Sequence, residues 1–129
     1  MSRKKAVAVR LKQARFSILH RSPELDAFVD QFLSTVCDTS RRSILELLAT
    51  PNDNDPSIHI ELRSGEIAEE LGLSSATTSE HLRQLANLHM VTTRKQGTAV
   101  YYCLSNHLLV QAFLDLLRTL EQYYQKQLS

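Results

Sequence analysis

A run of short polar side chains follows Gly72, and its spacing fits one exposed face of a helix. A rotation of about 100° per residue sorts this segment into two faces. The inward face holds Thr78, Leu82, Leu85 and His89, and the outward face holds Ala76, Thr77, Glu80, Arg83, Gln84 and Asn87. Because the outward side chains are short and polar in the N-terminal half, this face can approach the edges of base pairs. The predicted chemistry is hydrogen bonding to nucleic acid.

Metal binding and catalysis are the other kinds of chemistry to consider. The five histidines show no ligand spacing, because no pair lies three or four residues apart on one helix with a third partner nearby in sequence. The chain also lacks a Gly-rich phosphate loop, a nucleophile elbow and a pair of carboxylates with a plausible cleft. We therefore expect no metal, no cofactor and no catalytic residues.

A helix-turn-helix must position the polar face. Gly72 can adopt the left-handed conformation that ends one helix, and Ser74 can cap the next helix, which runs to about Leu88. The preceding helix is expected to begin at a capping Ser64. The runs 90–95 and 99–104, separated by a turn at Gly97, predict a β-hairpin. A hairpin directly after a helix-turn-helix is typical of a winged helix.

The remaining elements complete a mostly helical fold with a small β-hairpin wing. The predicted order is two helices, a short strand over 57–62, the two helices of the motif, the two wing strands and a last helix capped by Ser105. Ser22 and Pro23 predict the start of the first helix, and Asp38 predicts the N-cap of the second. The last helix carries an apolar stripe wider than one small core needs, so a second subunit is expected to cover it.

Composition and charge set limits on the type of protein. The chain has 129 residues, is 43% hydrophobic and has a formal net charge of +1. Residues 1–22 contain seven basic and no acidic side chains, which leaves eight basic and fourteen acidic side chains in 23–129. We predict a basic N-terminal arm over 1–22, which is either a phosphate contact or a solvated tail, and one domain over 23–129. No apolar run is long enough to span a bilayer, so we expect a cytoplasmic protein.

Residues 33–124 resemble the ArsR/SmtB family of dimeric winged-helix repressors. The resemblance lies in four segments, whose order and spacing matter more than any one of them. They are Asp38 to Leu45, where the family usually has Pro after the Asp, Glu66 to Ser74, Ser79 to Leu85, and Gly97 with Val100, Tyr101 and Tyr102. The resemblance implies a homodimer that binds double-stranded DNA at an inverted-repeat operator and that an inducer releases.

The family's functional positions transfer to this chain residue by residue. The groove-reading positions fall on Ser75, Ala76, Thr77, Ser79 and Glu80, and the Glu80 carboxylate can accept a hydrogen bond from a cytosine amino group. Candidate phosphate contacts are Arg83, Arg94, Lys95 and Thr98, although each could instead be a solvated surface residue. Joining through the first and last helices predicts a dimer interface of Leu25, Phe28, Phe32, Leu109, Phe113, Leu116 and Leu120.

The metal ligands known in the family are absent from the corresponding positions. Arg63, Ser64 and Gly65 stand where metal-sensing relatives have a Cys-x-Cys pair. The positions of the last-helix ligands read Asn106, Leu108, Thr119 and Gln122. The resemblance therefore does not imply a metal sensor.

Two alternative functions remain open on the same fold. Cys37 and Cys103 would allow a thiol-based redox or sulfide sensor, although a buried Cys37 and a half-exposed Cys103 without redox chemistry explain the sequence more simply. Acidic Glu69, Glu70 and Glu80 near the motif would instead suit a protein-interaction module.

Overall fold

The structure, a computed structural model, describes residues 2–105 and 107–128. In chain order its elements are α1 (Arg3–Leu19), α2 (Pro23–Val36), α3 (Thr39–Leu48), β1 (Leu62–Arg63), α4 (Ser64–Leu71), α5 (Ser75–Asn87), β2 (Val91–Gln96), β3 (Ala99–Leu104) and α6 (Leu108–Leu128). The prediction of a mostly helical winged helix-turn-helix with a small hairpin wing is confirmed.

The chain divides into two compact units, Met1–Ser34 and Thr35–Ser129. This boundary lies within α2, so the division at residue 22 that the charge pattern suggests stays a prediction. None of the described helices is both long enough and apolar enough to cross a membrane.

The first unit contains α1 and most of α2. The basic arm, whose conformation the sequence left open, is helical from Arg3, and Ser2 Oγ accepts a hydrogen bond from Lys5 N at 3.3 Å. None of the residues of α1 is buried. The predicted start of α2 is confirmed, because Ser22 Oγ accepts from Leu25 N at 3.1 Å.

The second unit has a helical core next to a three-stranded antiparallel sheet. Asp38 caps α3 as predicted, with its carboxylate accepting from Arg41 N at 2.9 Å. Side chains from α3, α4, α5, α6 and the segment before β2 are completely buried; they are Ile44, Leu45, Leu48, Ile67, Leu82, Leu85, Met90 and Val110. This core fixes α5 against α3 and α4 and leaves its opposite face in solvent.

The sheet has the order β1-β3-β2, and its first strand is shorter than the alternation over 57–62 predicts. Ser57 N donates to Asp55 Oδ1 at 3.1 Å, which forms a turn at the start of that segment. Pairing with the wing begins only at Leu62, which lies opposite Tyr102. The predicted strand position is wrong by several residues, because the middle of this segment pairs instead with the residues just after α3, through an antiparallel bridge between His59 and Pro51.

Three predictions at element ends are also wrong. Ser64 is the first residue of α4 instead of its cap, and the carboxylate of Glu66 reaches back to accept from Arg63 N at 2.9 Å. His89 lies beyond the end of α5, is exposed and has a φ of 58°. Ser105 does not cap α6, because it is buried and donates its hydroxyl proton to His89 O at 2.6 Å.

Candidate nucleic-acid interface

The turn between α4 and α5 fixes the start of the candidate reading helix. Gly72 has φ 66° and ψ 35°, the left-handed conformation that glycine adopts without strain. Ser74 Oγ accepts from Thr77 N at 3.1 Å and donates to Thr77 Oγ1 at 2.7 Å. One N–H group of the first turn is thus satisfied by the protein, and the side chain of Thr77 is held in place.

The buried face of α5 anchors the middle of this helix in the core. Thr78 is completely buried and donates its hydroxyl proton to Ser74 O at 2.8 Å, while Leu82 and Leu85 enter the core. The five candidate base-reading residues all lie on the exposed side of this helix: Ser75, Ala76, Thr77, Ser79 and Glu80. The structure therefore brings them together on one solvent-exposed surface, which is a requirement of base reading.

The carboxylate of Glu80 is already engaged by two neighbours on α5. It accepts from Arg83 Nε at 3.0 Å and from Arg83 Nη2 at 2.5 Å, and Gln84 Nε2 donates to it at 3.1 Å. The hydrogen bonds from Arg83 and then Gln84 lower the pKa of Glu80 from 4.5 to about 2. The same ion pair raises the pKa of Arg83. One candidate phosphate contact is thus bound to one candidate base-reading residue.

Arg94, on the first wing strand, is held in a similar way. Its Nε donates to Glu61 Oε2 at 2.8 Å and its Nη1 donates to Gln96 Oε1 at 3.0 Å. The guanidinium carbon also lies 4.8 Å from the centre of the Tyr101 ring. This cation–π contact and the ion pair together fix the direction of Arg94.

The tip of the wing carries the other two candidate phosphate contacts. Lys95 and Thr98 are exposed, and within the described part of the chain Lys95 has no acidic partner. Gly97 has a φ of 61°, which allows the two-residue connection between the paired residues Gln96 and Ala99. The hairpin therefore presents a cation and a hydroxyl group at its end.

Arg41 forms a contact that the sequence analysis missed. Its Nε donates to Thr35 O at 2.6 Å, and its Nη1 lies 3.3 Å from His81 Nδ1 on α5. The contact joins the start of α3 to the side of α5, so it helps to position this candidate reading helix. The two residues are forty positions apart in the chain, and no local pattern predicts such a pair.

The two paired arginines differ in whether the sequence could have predicted their partners. Glu80 and Arg83 have the i,i+3 spacing that predicts an ion pair on a helix, so this contact could have been found. Glu61 and Arg94 are 33 positions apart, and only the folding of the loop before β1 against the wing brings them together.

The candidate dimer residues differ in exposure. On α6, Leu116 and Leu120 are 52% and 54% exposed, and Leu109 is partly exposed. Phe113 is 7% exposed and belongs to the core of its own protomer, because it lies on the buried side of α6. We therefore drop Phe113 from the predicted interface.

The candidates on α2 belong to the first unit. Leu25 and Phe28 are 48% and 46% exposed, and Phe32 is partly exposed. Each has apolar surface that a second protomer could cover. Their role in the dimer stays a prediction.

The two cysteines form no disulfide, and the potential metal ligands among the described residues form no cluster. Cys37 is exposed, so the expectation that it is buried is wrong, and Cys103 Sγ lies 3.0 Å from Thr92 Oγ1. Over residues 2–105 and 107–128, no three His, Cys, Asp or Glu side chains are placed to share a metal ion. Asn106, one of the four last-helix positions compared above, lies outside the described residues.

Comparison with known proteins gives consistent matches. The family described as "Bacterial regulatory protein, arsR family" matches residues 38–93. The HTH-type transcriptional regulator KmtR of Mycobacterium tuberculosis is 33% identical over 80 residues, which are 62% of this chain and 55% of KmtR. The chain thus spans little more than half of the length of that relative.

Two further matches extend over more of the other protein. The arsenical resistance operon repressor of Staphylococcus xylosus is 32% identical over 92 residues, which are 70% of this chain and 80% of that repressor. The crystal structure of NolR from Sinorhizobium fredii has a TM-score of 0.64 and 28% identity, and the match covers 77% of this chain and 92% of that chain. Together with the helix-turn-helix and wing described above, these matches show that the chain belongs to the ArsR family of bacterial regulatory proteins.

Proposed function

We propose that this protein is a homodimeric transcriptional repressor that binds an inverted-repeat operator in double-stranded DNA and that an inducer releases. The observation that carries the proposal is the division of α5 into two faces. Thr78, Leu82 and Leu85 hold the helix in the core, while the short polar residues of its N-terminal half are exposed. A helix held in this way can enter the major groove without moving relative to its scaffold.

The hydrogen-bonding groups on this face suit base edges. The Thr77 hydroxyl accepts the proton of Ser74 Oγ, so its own proton remains available for an acceptor such as guanine O6 or thymine O4. Glu80 accepts two hydrogen bonds at Oε1 and one at Oε2. The remaining acceptor position on Oε2 can receive a cytosine amino proton. In this proposal Ser75, Ala76 and Ser79 allow the close approach.

The wing and α5 supply the backbone contacts in this proposal. Lys95 and Thr98 at the wing tip bind phosphate, and Arg83 and Arg94 join them in the specific complex. Such contacts set the register of the protein on the duplex but do not read its sequence. The protein works in the cytoplasm, where it acts by binding DNA and not by catalysis.

In this proposal a homodimer supplies the two-fold symmetry that matches the inverted repeat of the operator. Leu116 and Leu120 on α6 are each more than half exposed, and Leu25 and Phe28 on α2 are close to half exposed. Exposed large apolar side chains that lie close together on one helix are typical of a protein contact. We propose that a second copy of the chain covers them, so that two copies of α5 face one duplex.

Selection of bound sequences from a random pool of duplexes tests this function. We expect the enriched sequences to share a two-fold symmetric motif whose half-sites lie about 10 base pairs, or one helical turn, apart. A duplex with both half-sites scrambled is the control. Enrichment of no common motif, or of a motif without symmetry, would contradict the proposal.

A further inference from the structure

Both arginines assigned to phosphate contacts are paired with carboxylates in the protein without DNA. Arg83 makes two hydrogen bonds to Glu80, and Arg94 makes one to Glu61. All four side chains are between 38% and 60% exposed, so phosphate could reach the arginines. In this state, however, the carboxylates neutralise the positive charge of both arginines.

The charge of the surrounding chain makes this pairing important for DNA binding, because few other cations are available. Residues 23–129 contain eight basic and fourteen acidic side chains, so this part of the protein has an excess of negative charge. Non-specific binding to DNA depends on cations that replace the counterions of phosphates. Pairing Arg83 and Arg94 with carboxylates removes two such cations from the proposed DNA-facing surface.

We propose that Glu80 and Glu61 mask Arg83 and Arg94 in the free protein, which weakens its binding to non-operator DNA, and that the Glu80 mask also raises its selectivity for the operator. This inference rests on the proposed function, because it concerns the same surface. Exposed ion pairs are weak, so phosphates that the operator complex holds in register can displace the carboxylates. A duplex that offers no cytosine amino group to Glu80 leaves this carboxylate on Arg83 and frees the arginine less often.

The geometry of Glu80 links unmasking to base reading. Glu80 is the candidate acceptor for a cytosine amino group, and it is also the carboxylate that holds Arg83. A base that draws hydrogen bonding from Glu80 weakens its hold on Arg83, which is then released to a phosphate. The hydrogen bonds from Arg83 and Gln84 lower the pKa of Glu80 to about 2, so its carboxylate is ionised at neutral pH and can hold Arg83.

Glu61 acts at a place where no base is read. It belongs to the loop before β1, while Arg94 lies on the wing, whose proposed contacts are to the backbone. Removal of the Glu61 charge is therefore expected to strengthen binding to operator and random duplexes equally. The two masks can thus be distinguished by their effect on sequence preference.

The test compares Glu80→Gln, Glu61→Gln and a matched control in the full-length protein. Asp115→Asn is the control, because Asp115 pairs with Arg118 at the same i,i+3 spacing on α6, a helix that carries no candidate DNA contact. Dissociation constants for a random-sequence duplex are measured by fluorescence anisotropy over a range of salt concentrations. Circular dichroism melting confirms that each variant is folded.

Because each freed arginine can neutralise one more phosphate, we expect both glutamine variants to bind the random duplex about 3- to 10-fold more tightly than the wild type. We also expect their salt slopes to steepen by up to about 0.9 for each additional phosphate that is neutralised. The control should stay within about 2-fold of the wild type. Unchanged random-duplex binding by both folded variants would overturn the inference.

A double-mutant cycle separates masking from simple repulsion between Glu80 and phosphate. If Glu80 acts by holding Arg83, the gain from Glu80→Gln should vanish in an Arg83→Gln background. The same gain in that background would overturn the mask. Failure of the proposed function is a separate result, namely a wild-type protein that prefers no selected motif over scrambled duplex.

Discussion

At the residue scale, the exposed face of α5 offers a donor and an acceptor one helical turn apart. The hydroxyl of Thr77 is oriented by Ser74, and the carboxylate of Glu80 is oriented by Arg83 and Gln84. Ser74 holds Thr77, and Gln84 still holds Glu80 when Arg83 turns to a phosphate, so neither side chain must be ordered from a free rotamer when DNA binds. A lower entropic cost of binding follows.

Lys95 provides a prediction at this scale. Lys95→Ala should weaken binding to operator and random duplexes by a similar factor and reduce the salt slope by about 1, because the variant neutralises one phosphate fewer. Gel shifts at several salt concentrations measure both effects. Arg63→Ala is the comparison. Arg63 is an exposed basic residue before α4 that pairs with Glu66, and it has no proposed DNA contact. Weakening confined to the operator would mean that Lys95 reads sequence.

At the element scale, the ends of the helices show where the sequence alone was sufficient to predict the structure. Gly72 and Ser74 were predicted correctly, because a left-handed glycine and a capping serine act through bonds within a few residues. The prediction that Ser105 caps α6 was wrong, because its hydroxyl group donates to a carbonyl oxygen sixteen positions away. The exposure of the candidate reading face followed from helical periodicity, whereas the Glu61–Arg94 pair depends on tertiary folding that no local pattern contains.

The cap of α3 gives a stability prediction that depends on pH. Its hydrogen bond with the backbone of Arg41 lowers the pKa of Asp38 below 3.8. The stabilisation is therefore complete above the unfolded value and is lost as pH falls through the lower folded value. At pH 7, Asp38→Ala should reduce the free energy of unfolding by about 1 kcal/mol.

Urea unfolding at pH 7 and at about pH 3 measures this effect. The difference between wild type and Asp38→Ala should narrow at the lower pH, since protonation removes the charge-assisted hydrogen bond. Asp53→Ala, in the loop after α3, is the control and should change stability little at either pH. An equal difference for Asp38→Ala at both pH values would show that the ionised cap is not the cause.

The basic helix α1 gives a second prediction at the element scale. None of its residues is buried, and it has six basic side chains and no acidic one. If α1 touches phosphate, deletion of residues 2–20 should make the salt slope of DNA binding shallower by about 0.9 for each phosphate that the helix neutralises. An identical slope would show that the helix lies away from DNA.

At the scale of the whole molecule, the proposed function requires two copies of α5 in fixed relation. The apolar surface of α6 suits this proposal, because Leu116 and Leu120 lie beside the buried Phe113 side of the helix but remain exposed. One helix can thus pack against its own protomer and against a second one. The chain's sequence predicted the excess apolar width but not where the protomer's own core ends.

Leu116→Asp tests the dimer. A carboxylate in an apolar contact must lose its hydration, so the dimer dissociation constant should rise by at least about 100-fold. Sedimentation velocity over a range of concentrations measures it. Gln122→Asp, at an exposed position on the side of α6 opposite Leu120, adds the same charge and should leave the dimer intact. An unchanged sedimentation profile for Leu116→Asp would place the interface elsewhere.

The central claim is that α5 reads bases while the wing only holds the backbone. The most direct measurement is the ratio of affinities for the selected motif and a scrambled duplex, taken for wild type, Thr77→Val and Lys95→Ala. Because valine keeps the shape of threonine but has no hydroxyl, we predict that Thr77→Val lowers the ratio by about 10-fold. Lys95→Ala should leave the ratio unchanged while weakening both affinities. A wild-type ratio near one, or a Thr77→Val ratio equal to that of wild type, would contradict the account.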